Sequence, residues 1–254
     1  MKTLKIVYIF ALLPIFLLTS CVSNAQKTVE FTIKGGALVE ALYINDPKSL
    51  LSEKDIKKLA STYEKQGSKV LAKFATTDFP DAGEMPLEDR KYSYILMAQW
   101  SNPNGRTKQV AGNILNSIEN KIGKENLQFG FFAAQQDTPV VLKADKAYDF
   151  TSAWLISDDK CAAPPLMQVI GTYFGKIGPA LQKYEISNPA FLGPHPQMPT
   201  YESRLFVPHM LGIFEWREFA DRAKFLKDPL YAPHKDVRNS VLKKMDVAFT
   251  KVIL

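Results

Sequence analysis

Two apolar runs in this chain end alike, and that repeat limits the folds open to it more than any other feature. Met97-Ala98-Gln99-Trp100 closes one run and Ile213-Phe214-Glu215-Trp216 closes another, and each tryptophan is followed by helical sequence. A second local match, Ala60, Tyr63 and Gly67 against Ala180 and Tyr184, falls in the same order along the two halves. Matches kept in order point to one structural unit used twice.

The periodicity of each half gives the unit. In the first, residues 37–44 form an apolar run of strand length. Ser52-Glu53-Lys54-Asp55 fits a capping box, with the serine oxygen and the acid each satisfying a backbone N–H at the helix start. Ile56, Leu59, Ala60 and Tyr63 follow at helical spacing, and Gly67 suits a left-handed stop. Strands are expected at 69–74, 91–100 and 127–134. A loop containing Pro80, Gly83 and Pro86 separates the first two, and a helix on Val110, Ile114, Ile118 and Ile122 precedes the third. The order is β-α-β-β-α-β, a ferredoxin-like unit. The second half repeats it: a strand at 148–156, a helix over 166–184 that Gly178-Pro179 should kink or break, and a short extended piece at 189–192. A proline-rich loop (193–202), a long strand (205–216), a helix from 218 interrupted at Asp228-Pro229 and resumed to 244, and a last strand at 247–253 complete it. The fold class expected is α+β, a tandem duplication with units at 37–137 and 140–254.

The N-terminus reads as an export signal. Lys2 and Lys5 precede an almost wholly apolar stretch, residues 6–18, which is too short for the roughly 20 residues that cross a bilayer. It ends in Leu18-Thr19-Ser20-Cys21, which resembles the lipobox of bacterial lipoproteins. Residues 1–20 are therefore expected to be a signal peptide, Cys21 the lipidated residue, and 21–36 a tether, placing the protein at the bacterial cell envelope with the membrane as partner. The alternative is cleavage after Ser23-Asn24-Ala25, releasing a soluble periplasmic or secreted protein. With Cys21 lipidated, Cys161 has no disulfide partner within the chain. The net charge of +6 becomes +4 once Lys2 and Lys5 leave. The basic residues alternate with acids, as in Lys54-Asp55-Ile56-Lys57-Lys58, so no nucleic-acid groove is expected.

One stretch resembles a known group. Phe214-Glu215-Trp216, Phe219, Asp221-Arg222, Phe225-Leu226, Asp228-Pro229, Tyr231 and Arg238 are similar to the C-terminal half of dimeric α+β barrel proteins, especially NIPSNAP-like and related uncharacterised proteins. The resemblance implies two sheets packed face to face as an α+β barrel, which here both lie on one chain; pairing with a second copy into a homo-oligomer also fits. It implies a fold far more than an activity, because the superfamily includes monooxygenases, isomerases and haem enzymes. The 193–202 loop departs from the short connection the family pattern implies.

Alternation along the strands ending in Trp100 and Trp216 puts apolar residues on both faces, so both faces should be buried. A cavity between the sheets would suit a small apolar or aromatic ligand, with Tyr94, Trp100, His209, Phe214, Glu215 and Trp216 as candidate ligand-binding residues. His209 and Glu215 lie six residues apart, about 20 Å along a strand, and cannot pair directly. Each also has a purely structural role open to it, as a satisfied core histidine and a strand-end carboxylate. The spacing of His195, His209 and His234 matches no zinc motif, a single histidine is thin support for haem, and no phosphate-binding glycine loop is present, so no metal and no cofactor is expected. The functional expectation is an envelope lipoprotein that binds a small apolar molecule. The alternatives are a cofactor-free monooxygenase or isomerase using the same pocket, and a non-catalytic assembly protein.

Overall fold

The computed structural model describes residues 27–77, 92–156 and 164–254. The expected signal peptide, Cys21, the Pro80–Pro86 loop and Cys161 lie outside the described residues. The first unit runs β2 (Leu38–Ile44), α1 (Glu53–Lys65), β3 (Ser68–Thr76), β4 (Tyr94–Trp100), α2 (Lys108–Ile122) and β5 (Leu127–Ala133). The second runs β7 (Ala147–Leu155), α3 (Pro164–Lys183), β8 (Ser187–Pro194), β9 (Met210–Trp216), α4 (Ala220–Leu226), α5 (Lys235–Asn239) and β10 (Leu242–Val252). A further pair, β1 (Thr28–Ile33) and β6 (Thr138–Lys143), forms a separate two-stranded ribbon.

Within each unit the strand order is that of a ferredoxin-like sheet, β3-β4-β2-β5 and β8-β9-β7-β10. The two sheets join edge to edge into one closed barrel. The seams are short. Phe132 and Ala133 of β5 pair with Pro194 and Gly193 of β8, and Thr250, Lys251 and Val252 of β10 pair with Thr76, Ala75 and Phe74 of β3. Closure leaves the barrel without an unpaired edge strand, the standing hazard of an open sheet.

Local sequence explains the elements. Ser52 and Asp55 form the reciprocal capping box of α1, and Thr107 caps α2. Gly67 and Gly123 end these helices with φ of +90° and +86°, where a side chain would be strained. Alternation then sorts side chains to the two faces. One face of each strand points into the barrel, where Tyr43, Phe74, Ile95, Phe132, Phe150 and Ile213 join one continuous core together with Phe31 and Leu142 of the ribbon. The other face meets the helices: Leu42, Leu96 and Phe129 pack on Leu59 and Ile118 in the first unit, and Ala147 and Trp216 pack on Ile177 and Phe225 in the second.

Four sequence expectations change. Helix α3 runs through Pro179 unbroken; Gly175, whose carbonyl loses its helical donor there, and Pro179 are both exposed, so water can satisfy that group. The strand ending in Trp216 begins at Met210, not 205, because Pro208 cannot donate to a ladder and the chain ahead of it turns to β5. Strand β10 starts at Leu242, since Lys243 and Lys244 belong to a strand entered through a bulge and not to a helix end. Residues 138–143, for which no element was expected, form β6, and its partner β1 lies within the expected tether (21–36).

Candidate functional site

The barrel interior, where a ligand was expected, is filled by aromatic rings in contact. Tyr43 lies 4.8 Å from Phe206, and Phe74 lies 4.7 Å from Phe150, centroid to centroid. The informative chemistry is on the helix-covered faces, and it occurs twice.

In the first unit, Glu40 of β2 sits on the helix side beside Leu38 and Leu42, with no exposed surface. Its Oε2 accepts from Trp100 Nε1 (2.8 Å) and Arg106 Nε (3.0 Å). Its Oε1 accepts from Tyr63 Oη (2.9 Å) and Arg106 Nη2 (2.7 Å). Arg106 Nη1 donates to Tyr201 Oη (2.9 Å). Burial alone would lower the Arg106 guanidinium, but the charge and hydrogen bonds of Glu40 outweigh it and hold the group above its ordinary value. Burial and then the Glu40 charge push the Tyr63 hydroxyl well above its usual range. Every oxygen of Glu40 is therefore used.

Tyr201 and the neighbouring Glu202 come from the long connection between β8 and β9, which holds the 193–202 loop where a short connection was expected. It runs as a strap along β5: the N–H groups of His195 and Phe206 donate to the carbonyls of Phe131 and Phe129, and Phe129 N–H donates to Arg204. His195 is buried and reaches the Gly36 carbonyl through Nε2 (3.3 Å). The second unit thus covers the helix-side space of the first.

The second unit repeats the frame. Asp149 holds the β7 position that Glu40 holds in β2: Leu38 pairs with Trp100 and Ala147 with Trp216, two residues before each carboxylate. Trp216 Nε1 donates to Asp149 Oδ2 (2.8 Å). Arg222 follows Trp216 by the same interval as Arg106 follows Trp100. Phe249 pairs with Asp149 as Phe131 pairs with Glu40, and each arginine lies over that ring, at 4.9 and 5.6 Å. The sites differ in saturation. Asp149 is one methylene shorter than a glutamate, and its other oxygen accepts from Thr151 Oγ1 (3.0 Å). Among the described residues it makes no ion pair with Arg222, and Arg222 Nη1 is buried with no hydrogen-bond partner. Burial raises the Asp149 carboxyl above its ordinary value, against the Arg222 charge and the bonds from Trp216 and Thr151.

This second frame faces a crevice of about 100 Å³ between α3, α4 and the sheet, walled by Asp149, Arg222, Tyr173, Ile177, Phe214 and Trp216, among others. A smaller space of about 50 Å³ shares Thr151, Tyr173, Phe174 and Phe214 with it and extends it along α3 toward Met210. Phe225, Leu226, Tyr231 and Arg238 complete the larger wall, so much of the lining comes from the stretch that carries the family resemblance. A third space, a groove of about 940 Å³ beside the β5–β8 seam, is walled by His209, Phe191, Gln136 and Asn188 and has no acidic side chain, lysine or arginine.

The six expected site residues do not converge. Phe214 and Trp216 are walls of the crevice. Trp100 is the counterpart of Trp216, locked in the filled first unit. Tyr94 is half-buried beside the α1–α2 core and donates to the Leu51 carbonyl. Glu215 points to the other side of the sheet, accepting from Tyr148 Oη (2.9 Å) and Lys143 Nζ (3.2 Å). His209 walls the groove, and its Nδ1 accepts the Leu155 N–H (2.9 Å). Asp149 and Arg222 were missed as site residues; the shared Trp-to-Arg spacing was the available signal. Among the described residues no three His, Cys, Asp or Glu side chains group to hold a metal ion, and no helix is long and apolar enough to cross a membrane.

No protein-family model matches this sequence, and no curated protein matches it significantly. Solved structures do. An anthrone oxidase-like protein superposes with a TM-score of 0.56 over 89% of this chain and 94% of its own, at 10% identity. The chain carries the ferredoxin-like α+β barrel fold. A proposed monooxygenase from Fusobacterium nucleatum (TM-score 0.47, 10% identity, 87% of this chain and 94% of that one) is more distant. So is a chlorite dismutase from Candidatus Nitrospira defluvii (TM-score 0.46, 7% identity, 87% and 92%). At these identities the likeness concerns the fold.

Proposed function

We propose that this protein binds a small, flat, largely apolar molecule in the helix-side crevice of its second unit. The observation that carries the reading is the contrast between two equivalent places: the first is filled by Tyr63, Arg106 and Tyr201, and the second leaves a ring-lined space. An apolar cavity of about 150 Å³ takes up benzene, and the crevice with its extension offers room of that order, so one aromatic ring is the natural occupant. The packed barrel interior alone would suit an assembly protein, and the crevice favours binding. Ligand-observed NMR with benzyl alcohol tests it. Leu181, half-buried on α3, lines the crevice. Wild type should bind the probe, and Leu181→Phe should abolish binding by filling the space. Equal signals from both proteins would refute the site.

A second reading rests on Asp149. A buried carboxyl raised by its surroundings and facing a ligand space can accept a proton from an acidic C–H or O–H, the first step of a cofactor-free oxygenase or an isomerase. The anthrone oxidase-like neighbour supports this by fold analogy only. Oxygen uptake with anthrone as the probe, dependent on Asp149, is the expected result; no uptake above buffer would count against it.

The proposal includes location. The Leu18–Cys21 sequence supports export and lipid anchoring at the cell envelope, and the Phe214–Arg238 stretch supports kinship with NIPSNAP-like proteins.

A further inference from the structure

We infer that the molecule taken up by the crevice carries a carboxylate, and that Arg222 selects it. This rests on the crevice being a ligand site. The first unit shows what the frame requires. There the arginine fork places Nε and Nη2 on the two oxygens of one carboxylate (3.0 and 2.7 Å) and Nη1 on a tyrosine hydroxyl (2.9 Å), over the rings of Phe129 and Phe131. In the second unit the arginine, one ring of the aromatic platform (Phe249) and the tryptophan are in the matching places, but the carboxylate stops short. Arg222 is 6% exposed and its Nη1 has no partner.

A buried donor on a charged group without an acceptor is costly, and folded proteins seldom leave one. A planar guanidinium matches a carboxylate in two parallel bonds better than it matches any neutral group. The balance of charge agrees. The crevice walls carry Arg222 and Arg238 against the single acid Asp149, one positive charge over neutrality. Arg238 is committed to Tyr231 Oη (2.9 Å) and Asn239, which leaves Arg222 as the receptor. An aromatic monocarboxylic acid would place its ring against Phe214 and Tyr173 and a carboxylate oxygen on Arg222 Nη1, the counterpart of the nitrogen that the first unit turns to Tyr201.

The test is titration calorimetry of the full chain with benzoate and with benzyl alcohol, which share a ring and differ in charge. Wild type should bind benzoate at least tenfold more tightly than benzyl alcohol, and Arg222→Gln should bring the two to parity by weakening benzoate alone. Equal affinities in wild type would overturn the role of Arg222 and leave the crevice standing. A preference that survives Arg222→Gln would overturn it too. If neither probe binds, both readings fall and the crevice holds water only. Should Arg222→Gln fail to fold, the ratio of the two probes on wild type decides.

Discussion

Glu40→Gln and Asp149→Asn remove the same charge from matching positions and should give different results. Glu40 accepts four hydrogen bonds, two of them from the buried Arg106. A glutamine keeps one acceptor and turns an amide donor toward a guanidinium or an indole, so about half of these bonds are lost. Bonds to charged groups are worth roughly 1.5–3 kcal/mol each, which gives a loss of about 3–6 kcal/mol, in line with the roughly 3–5 kcal/mol of breaking one side of a buried ion pair. For a chain of this size about 2–4 °C of melting temperature goes with each kcal/mol, so a drop on the order of 10 °C is expected. Asp149→Asn should behave otherwise. Asparagine can still accept from Trp216 Nε1 and can donate to Thr151 Oγ1, so both bonds of the aspartate survive. It also removes a charge that burial disfavours. A carboxyl whose folded pKa is raised stabilises the fold below its unfolded pKa and loses that contribution as pH rises through the folded value. The asparagine variant should therefore equal wild type, or exceed it by up to about 1 kcal/mol, at neutral pH, with no advantage in acid. Urea midpoints at several pH values, read by near-ultraviolet circular dichroism, make the comparison. Equal losses at the two positions would refute the claim that one frame is saturated and the other open.

Further outcomes follow from the same structure. A Cβ on Gly130 would lie 2.3 Å from the ring of Phe132, which is wholly buried, so Gly130→Ala should cost roughly 1–3 kcal/mol, seen as a lower urea midpoint. The Asp228 carboxyl is held at about 2, first by the Lys183 hydrogen bond and then by the Leu230 N–H. Its stabilising contribution is present above the unfolded value near 4 and fades as pH falls toward 2, so Asp228→Asn should flatten the acid limb of a stability–pH curve between those values. If Cys21 is lipidated, intact mass should show added acyl chains and Cys21→Ala should move the protein to the soluble fraction; a native N-terminus at Gln26 would contradict it.

The sequence made the unit and its repetition legible because both rest on short-range signals. Ser52 and Asp55, Gly67, and the fourfold spacing of Ile114, Ile118 and Ile122 act within a turn or two, and each sits where expected. Trp100 and Trp216 do fall at matching strand ends. What the sequence hid was pairing across distance. Glu40 and Asp149 are single acids inside apolar runs, and nothing local tells that each lies beside a tryptophan and faces an arginine on another element. The strap was misread as strand at 205–209 because Leu205, Phe206 and Val207 continue the apolar run into Met210; their partner is β5, far along the chain. Ribbon strand β6 contains Pro139 and shows no strand signal until β1 is placed beside it. Alternation sorted the residues of the observed strands, such as Ile213 and Phe214, to opposite faces, but it failed at Phe206, which lies before the strand and enters the barrel core, and it cannot say which face packs tightly and which leaves room.

Closing the barrel within one chain frees its two halves from each other. In a barrel assembled from two identical subunits every substitution is made twice, so a residue that helps one pocket must also be tolerated in the other. Here codon 40 and codon 149 can change separately. One has the longer acid and, with the β8–β9 strap, makes a rigid buttress; the other has the shorter acid and keeps an opening. In a single chain the connection between the second and third strands can also be shaped separately in each half. The asymmetry lets one half be selected for firmness and the other for chemistry.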